Sequence, residues 1–345
     1  MSGGIDSSVT AALLLDQGLD VCGVTMRLFA SENPPGDTCL IRDAVTDAAK
    51  VADQLGIEHH VLDLAQRFER EVIAEFVSEY ERGRTPIPCV RCNAFIKFGD
   101  LVRYADQLDC YHIATGHYAI SRDGCLYRGI DREKEQTYFL WKVDREALDR
   151  LLLPLGEKTK QETREMARGI GLASAERPES VEICFAPNDD YVTVLQRFLG
   201  PDSPSLKPGD IETEDGEVVG RHEGYARYTI GQRRGLPGGF PHAMYVTKIL
   251  PDRRAVIIGP EAALWGKRVE LEQVNWLAQP RPAGDTCRIS TRYRSRTVEA
   301  RITGESRNGA GLLLDLSEPL RAITPGQSGV LYGDDDRLLG GGEIS

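Results

Sequence analysis

Ser2-Gly3-Gly4-Ile5-Asp6-Ser7-Ser8 passes without interruption into a helical pattern, and the reading of this stretch decides the fold. Val9, Ala12 and Leu13 share one face and Gly18 closes the segment, with Asp6 and Ser7 as the expected caps. Two glycines let a backbone curl close to a ligand. Loop amides and a helix N-terminus then make an anion site, to which serine hydroxyls add donors. The lysine of the common phosphate loop does not follow. Gly-Gly before Asp-Ser is also an ordinary turn and cap. The complete Ser-Gly-Gly-x-Asp-Ser string, heading a helix in an α/β unit, favours the phosphate reading.

That α/β unit extends downstream. Val21–Phe29 suits a strand; Val45, Ala48, Ala52 and Leu55 mark a second helix closed by Gly56; a strand follows near His60–Leu64. Phe68, Val72, Phe76 and Tyr80 fall four apart and predict a third helix to about Gly83. After a turn bounded by Pro86 and Pro88, a helix from about Asn93 to Leu108 precedes a strand at Tyr111–Thr115. Strands separated by such helices predict an α/β, doubly wound parallel sheet. Helical patterning continues through Leu148–Leu152 and Lys160–Ile170. From about Pro201 glycine, proline and short alternating runs predict small β domains or barrels. The runs are Tyr245–Leu250, Ala255–Gly259, Cys287–Tyr293, Val298–Thr303 and Gly311–Leu316, and Pro201–Pro208 is the candidate linker.

The 345 residues suggest two or three domains, and 41% hydrophobic with 28% charged residues excludes a disordered chain. The sequence holds no apolar run of ~18 residues, and Met1 precedes Ser-Gly-Gly rather than a basic, greasy leader, so a cytoplasmic protein without a membrane partner is expected. A net charge of −11 argues against nucleic acid unless basic groups cluster. Eight cysteines without an export signal argue against a disulfide scaffold and leave metal binding, thiol chemistry and burial.

Pro88-Cys-Val-Arg-Cys-Asn-Ala-Phe-Ile-Lys-Phe98 carries a Cys-x-x-Cys pair at a helix start, where the dipole and Arg91 favour thiolates. Half a zinc site is the alternative, and redox dithiol chemistry another; no second pair is spaced to complete the zinc site. Cys184, within Glu179-Ser-Val-Glu-Ile-Cys-Phe185, reads in isolation as a buried core thiol, as do Cys22, Cys39, Cys110, Cys125 and Cys287. Arg288-Ile-Ser-Thr-Arg-Tyr-Arg-Ser-Arg296 holds four arginines and no acid. Strand alternation puts Arg292, Arg294 and Arg296 on one face. Arg227, Arg233 and Arg234 add three more within Arg227–Gly235. Such clusters in an acidic chain suit an RNA backbone or a carboxylate-rich partner.

The opening loop resembles the pyrophosphate loop of the ATP pyrophosphatases, which cleave ATP between its α- and β-phosphates to adenylate an oxygen. Ser2–Ser7, Gly83–Asn93, Ala114-Thr-Gly-His-Tyr118, Glu135–Leu140, Glu182-Ile-Cys-Phe185, Tyr228–Gly235 and Thr324-Pro-Gly-Gln-Ser328 together resemble, in order and across essentially the whole chain, the tRNA-specific 2-thiouridylase family. The resemblance implies ATP-dependent replacement of the C2 oxygen of the wobble uridine in tRNA by sulfur. It implies a PP-loop nucleotide-binding and catalytic domain at 1–200, a small central domain at 201–262 and a C-terminal, tRNA-contacting β-barrel at 263–345. An amide-forming synthetase sharing the loop, and a non-enzymatic RNA- or metal-binding protein, are the alternatives.

By the same resemblance Ser2, Gly3, Gly4, Asp6 and Ser7 hold the pyrophosphate of ATP with Mg²⁺, and Met26 and Gly116 contact the nucleotide. Cys92 is the nucleophile and Cys184 the persulfide carrier, with a disulfide between them as by-product. Ile87, Pro88 and Cys89 meet the target base, which is flipped out to reach its pocket. His117, Glu135, Gln136, Arg292, Tyr293 and Gln327 touch tRNA. A cysteine desulfurase or a relay protein donates the sulfur. Many family members carry aspartate where this chain has Cys89. Cys89, Cys92 and Cys184 therefore form a three-cysteine set, for which a 4Fe–4S cluster with one open iron is the alternative to the persulfide route.

The family also carries a hydrophobic strand leading into the loop, where this sequence has only Met1. A start codon assigned too late is the expectation, with a gap or weakened pairing between Val21–Leu28 and Tyr111–Thr115.

Overall fold

The computed structural model describes residues 1–29, 39–172, 175, 183–186, 190–306 and 311–345. The chain divides into two compact units. One comprises Met1–Val72, Cys89–Asp189 and Asp335–Leu339; the other comprises Ile73–Pro88, Asp190–Asp334 and Gly340–Ser345.

The first unit is α/β. Helix α1 (Ile5–Asp16) is capped by Gly4 in extended backbone, with no side-chain cap. Asp6 therefore lies inside the first turn instead of capping it, because its carboxylate is engaged elsewhere. Ile5 and Val9 pack with Val51, Leu155, Ala167 and Leu172. Strand β1 (Gly23–Arg27) pairs in parallel with β2 (His59–Asp63), Gly23 opposite His59. Helix α2 (Cys39–Leu55) lies between them in sequence and packs against both. Helix α3 (Ala65–Phe68) widens into a π-helical turn, Glu69–Ile73, before α4 (Ala74–Glu81), so the expected third helix is one run of three windings. Phe68, Val72, Phe76 and Tyr80 are all buried, as their four-residue spacing requires.

Helix α5 (Pro88–Arg91) opens a second such run, continuing through a nine-residue π-helix, Cys92–Asp100, into α6 (Leu101–Gln107). It begins earlier than the apolar periodicity indicates because proline is tolerated in a first helical turn. Strand β3 (Ile113–Ala114) leads to the hairpin β4 (Ala119–Arg122) and β5 (Cys125–Arg128). Leu148–Leu152, expected helical, is the end of a 3₁₀ segment and the strand β6 (Leu151–Leu152), which pairs in parallel with β3. The parallel α/β class holds, but as two two-stranded pieces, and β1 and β3 do not bond to each other. Instead the Met1 amino group donates to Val24 O. Helix α7 (Lys160–Gly169) starts at a capping box, Thr159 with Glu162.

In the second unit α8 (Tyr191–Leu199) packs on α4, with Tyr80 and Tyr191 stacked at 4.8 Å. Pro201–Pro208, read as a linker, is folded: Pro204–Leu206 is a 3₁₀ turn, and buried Ser203 and Ser205 hydrogen-bond at 2.9 Å. A four-stranded sheet follows in the order β8 (Val218–His222), β7 (Gly209–Thr213), β10 (Ala255–Pro260) and β9 (Met244–Leu250). Six strands then close a barrel: β11 (Trp265–Trp276), β12 (Thr286–Ser290), β13 (Val298–Glu305), β14 (Leu312–Arg321), β15 (Ser328–Tyr332) and β16 (Leu338–Ile344). Val298, Ala300 and Ile302 alternate inward on β13.

The predicted basic strand face is a turn. β12 ends at Ser290, whose hydroxyl donates to Arg292 O at 2.9 Å. Arg294 takes the left-handed φ of +60°, so Arg292, Arg294 and Arg296 share no strand face. Among the described residues no helix is long and apolar enough to cross a membrane.

Candidate active site

Gly3 adopts φ +68°, and a Cβ there would stand 2.7 Å from Asp47 Cβ, so both conformation and space demand glycine. Ser2 N donates to Ser7 Oγ at 3.1 Å and Ser8 Oγ donates to Gly4 O at 2.8 Å, which folds the loop onto its own helix. The first amides of α1 have no intrahelical acceptor, so the turn presents donors and the positive end of the dipole. This is an anion cradle.

Asp6 is the carboxylate beside that cradle. It accepts two hydrogen bonds from Lys160 Nζ, at 2.7 and 2.9 Å, and one from Tyr118 Oη at 2.9 Å. Gly116 stands against Asp6 so tightly that a Cβ would lie 2.8 Å from Asp6 C and Cβ. The loop after β3 is thereby clasped to the head of α1. Met26, near the carboxyl end of β1, is half-buried opposite Leu62. Ligands of open α/β sheets bind at such strand ends. His117 is buried, with Nδ1 2.7 Å from Thr115 Oγ1. Burial, then the Lys97 charge, holds its pKa well below the usual imidazole value, so the ring is neutral.

The thiols come from distant parts of the chain. Cys89 lies in α5 and Cys92 opens the π-helix; Cys92 is buried and Cys89 exposed. Cys184 sits in the turn Ile183–Ala186, pinned by buried Phe185, whose ring meets Phe68 edge-on at 5.9 Å. Contrary to its reading as a core thiol, Cys184 is exposed; Cys22, Cys110 and Cys125 are half-buried, Cys287 is buried, and the Cys39 side chain lies outside the described residues. Crowding by protein atoms is the main cause that pushes the Cys184 thiol up to about 12, with the Cys92 and Cys89 charges adding to it. Water at the exposed Cys89 and Cys184 moderates the effect there.

The cation that opposes it at all three thiols is Lys97. Arg91, expected in that role, turns away: its Nε donates to Glu71 O at 2.7 Å and its guanidinium lies 4.9 Å from the Phe95 ring centre. The buried Oδ1 of Asn93, next to Cys92, has no hydrogen-bond partner among the described residues. Among those residues no three His, Cys, Asp or Glu side chains form a group able to hold a metal ion.

The residues expected at tRNA divide between the units. Glu135 is buried, its carboxylate accepting from Thr137 N at 2.5 Å and Arg128 Nε at 3.3 Å; Gln136 Oε1 accepts from Tyr118 N at 3.0 Å. Gln136 thereby braces the Gly116–Tyr118 turn, while Glu135 ties Thr137 to Arg128. In the second unit Ile87 is half-buried and Pro88 buried. Arg292 Nη2 donates to Ala322 O at 3.0 Å, and Gln327 Nε2 to Thr85 O at 2.7 Å. Arg294 lies 4.9 Å from the Tyr293 ring centre, and Arg227, Arg233 and Arg234 are exposed.

Sequence reading missed Lys160, Tyr118 and Lys97. A cation in the first turn of a helix opposes the dipole, and that anomaly at Lys160 was the available signal. Lys97 was hidden by its spacing from Cys92, which an α-helical count puts on another face.

Three protein-family profiles match in sequence order. They are the tRNA methyl transferase HUP domain at residues 1–188, the tRNA methyl transferase PRC-barrel domain at 195–260 and the aminomethyltransferase beta-barrel domain at 267–344. Relatives named tRNA-specific 2-thiouridylase MnmA match over 100% of this chain. The one from Rhodospirillum rubrum is 44% identical over 360 residues, 94% of its length, and that from Halothermothrix orenii 44% over 356 residues, 97% of its length. The Methylobacterium radiotolerans relative is 43% identical over 356 residues, 92% of its length. Among solved structures, an NMN synthetase from Francisella tularensis matches with 19% identity and a TM-score of 0.33, covering 52% of this chain and 63% of that one. A predicted subunit of tRNA methyltransferase from Methanocaldococcus jannaschii matches with 20% identity and a TM-score of 0.32, over 49% and 73%. These two likenesses are distant.

Proposed function

The chain belongs to the tRNA-specific 2-thiouridylase family, and from that premise we propose how its residues divide the ATP-dependent 2-thiolation of the wobble uridine. A uracil carbonyl oxygen is a poor leaving group, and adenylation converts it to AMP. Ser2, Gly3, Gly4 and Ser7 hold the pyrophosphate with the open amides of α1. Asp6, the oxygen donor of the cradle, would hold the Mg²⁺ that accompanies ATP and offsets phosphate charge. Met26 and Gly116 border the nucleotide. Lys160 and Tyr118 keep the Asp6 carboxylate aimed.

Sulfur arrives on Cys184 as a persulfide, from a cysteine desulfurase or a relay protein. Its terminal sulfur attacks C2 of the adenylated uridine, and AMP leaves with the electron pair of the C2–O bond. The Cys92 thiolate then attacks Cys184 Sγ. The bond from Sγ to the transferred sulfur breaks, and its pair leaves on the sulfur now bonded to C2. A Cys92–Cys184 disulfide remains, which a thiol reductant must reopen. Ile87, Pro88 and Cys89 border the flipped base. The Arg227–Arg234 loop, Arg292, Tyr293 and Gln327 belong to the tRNA-binding surface, with Glu135, Gln136 and His117 shaping the backbone beside it. The working division is 1–200 for catalysis, 201–262 for the central domain and 263–345 for tRNA, in the cytoplasm where tRNA is modified.

One observation carries this reading: Cys92 and Cys184, far apart in sequence, lie in the unit that bears the phosphate cradle, near enough for the charge of Cys92 to oppose ionisation of the Cys184 thiol. Cys92→Ala is expected to release AMP from ATP in the presence of tRNA yet form no 2-thiouridine. Undiminished 2-thiouridine from Cys92→Ala would remove Cys92 from the sulfur-transfer step. No step is routed through a 4Fe–4S cluster. On the persulfide route full activity is expected in rigorously iron-free protein. A charge-transfer band after anaerobic reconstitution, weakened by Cys89→Ala and required for activity, would reverse that choice.

A further inference from the structure

Lys97 lies five residues beyond Cys92 and eight beyond Cys89. In an α-helix five residues turn the chain about 500°, leaving Lys97 roughly 140° from the Cys92 face. Here Cys92–Asp100 is wound as a π-helix, whose i to i+5 hydrogen bonds set residue i+5 above residue i. Cys89 precedes Cys92 by three residues, a spacing that shares a helical face. The unusual winding therefore brings Cys89, Cys92 and Lys97 into one row.

Arg91 is engaged by Glu71 and Phe95, and His117 is neutral. Among the described residues Lys97 is the cation whose charge acts on all three thiols. A π-helical turn costs hydrogen-bond quality and is found mostly at functional sites, so its presence between the thiols and the lysine asks for a reason.

We propose that Lys97 is the cation of the sulfur-transfer step, a positioning residue whose ammonium group offsets the negative charge carried first by the terminal sulfur of the Cys184 persulfide, then by the Cys92 thiolate and last by the sulfur left on the base. The inference rests on the assignment of Cys92 and Cys184 above. Adenylation happens at the cradle and uses Asp6 and Lys160, so Lys97 serves the second half-reaction and not the first. Arginine retains the charge, and methionine retains the length without it.

The test uses the full chain as wild type, Lys97→Met and Lys97→Arg, loaded with persulfide by a cysteine desulfurase and cysteine, then mixed with tRNA and ATP for a single turnover. Pyrophosphate, 2-thiouridine and the rate of iodoacetamide alkylation of Cys92 and Cys184 are measured. Lys97→Met is expected to slow 2-thiouridine formation and alkylation about tenfold each. Pyrophosphate release, which reports adenylation, stays within about threefold, and Lys97→Arg recovers most of both losses. Wild-type thiolation and alkylation in Lys97→Met would overturn the proposal. So would a parallel fall of pyrophosphate and 2-thiouridine with unchanged alkylation, which is the mark of a structural role. If the wild-type protein released pyrophosphate but made no 2-thiouridine, the functional reading itself would fall, and this inference with it.

Discussion

Asp6 concentrates the electrostatics of the cradle. Its carboxylate is one-third exposed and is held by Lys160 and Tyr118. Asp6→Ala is expected to abolish AMP formation while leaving the cooperative unfolding transition in place, as followed by circular dichroism. Loss of the fold instead would make Asp6 a structural residue. His117 gives a pH dependence of known sign. Its ring is held neutral, so the unfolded chain takes up a proton near pH 6.5 that the folded site refuses. Stability then falls as pH drops below about 6.5, because the unfolded state binds more protons there. His59 and His222 are shifted in the same direction and add to the trend. Urea unfolding of His117→Asn between pH 7 and pH 5 is expected to show a shallower loss than wild type; an unchanged slope would exclude His117 as a source. Cys92 and Cys184 were singled out at this scale only by resemblance, whose motifs are local strings; read alone, Cys184 passes for a core thiol, although it is exposed. Their counter-cation was not singled out, since Arg91 sits nearest in sequence while the winding of the helix selects Lys97.

At the scale of elements, the loop and α1 work as one piece. Gly3→Ala forces a left-handed side chain, about 1–2 kcal/mol, and drives its Cβ into Asp47. It is expected to lower both melting temperature and AMP formation, measured by calorimetry and nucleotide chromatography. Full activity with wild-type melting would show that the loop tolerates another conformation. Helix and strand identities were readable from period and punctuation: Gly18, Gly56 and Gly83 all take positive φ where helices were expected to close. What periodicity could not give was winding. Phe68, Val72, Phe76 and Tyr80 satisfy an ordinary helix, and nothing in that pattern marks Glu69–Ile73 as π-helical. The Arg288–Arg296 stretch failed for a different reason. Alternation describes a strand only while the backbone stays extended, and the left-handed Arg294 ends it.

For the whole molecule, the three-part order of α/β unit, small β domain and barrel follows from the change of texture near Pro201, and the family match spans the same order. The contact-defined units cut across it. Ile73–Pro88 belongs with the β-rich unit although it is read in sequence as part of the first, because Tyr80 stacks on Tyr191 and Tyr225 Oη donates to Glu81 O at 2.6 Å. Long-range pairings of this kind leave no local pattern. The acidic balance of −11 was equally uninformative by itself, since exposed Arg227, Arg233 and Arg234 are concentrated in one loop. On the proposed mechanism one chain couples ATP cleavage at the cradle to sulfur delivery by Cys184 and Cys92. The decisive measurement is nucleoside mass spectrometry of unmodified tRNA incubated with the protein, ATP, Mg²⁺, cysteine and a cysteine desulfurase. 2-Thiouridine is expected at the wobble position, with one AMP released per sulfur inserted. AMP release with no thiolated nucleoside, or thiolation without ATP, would contradict that mechanism.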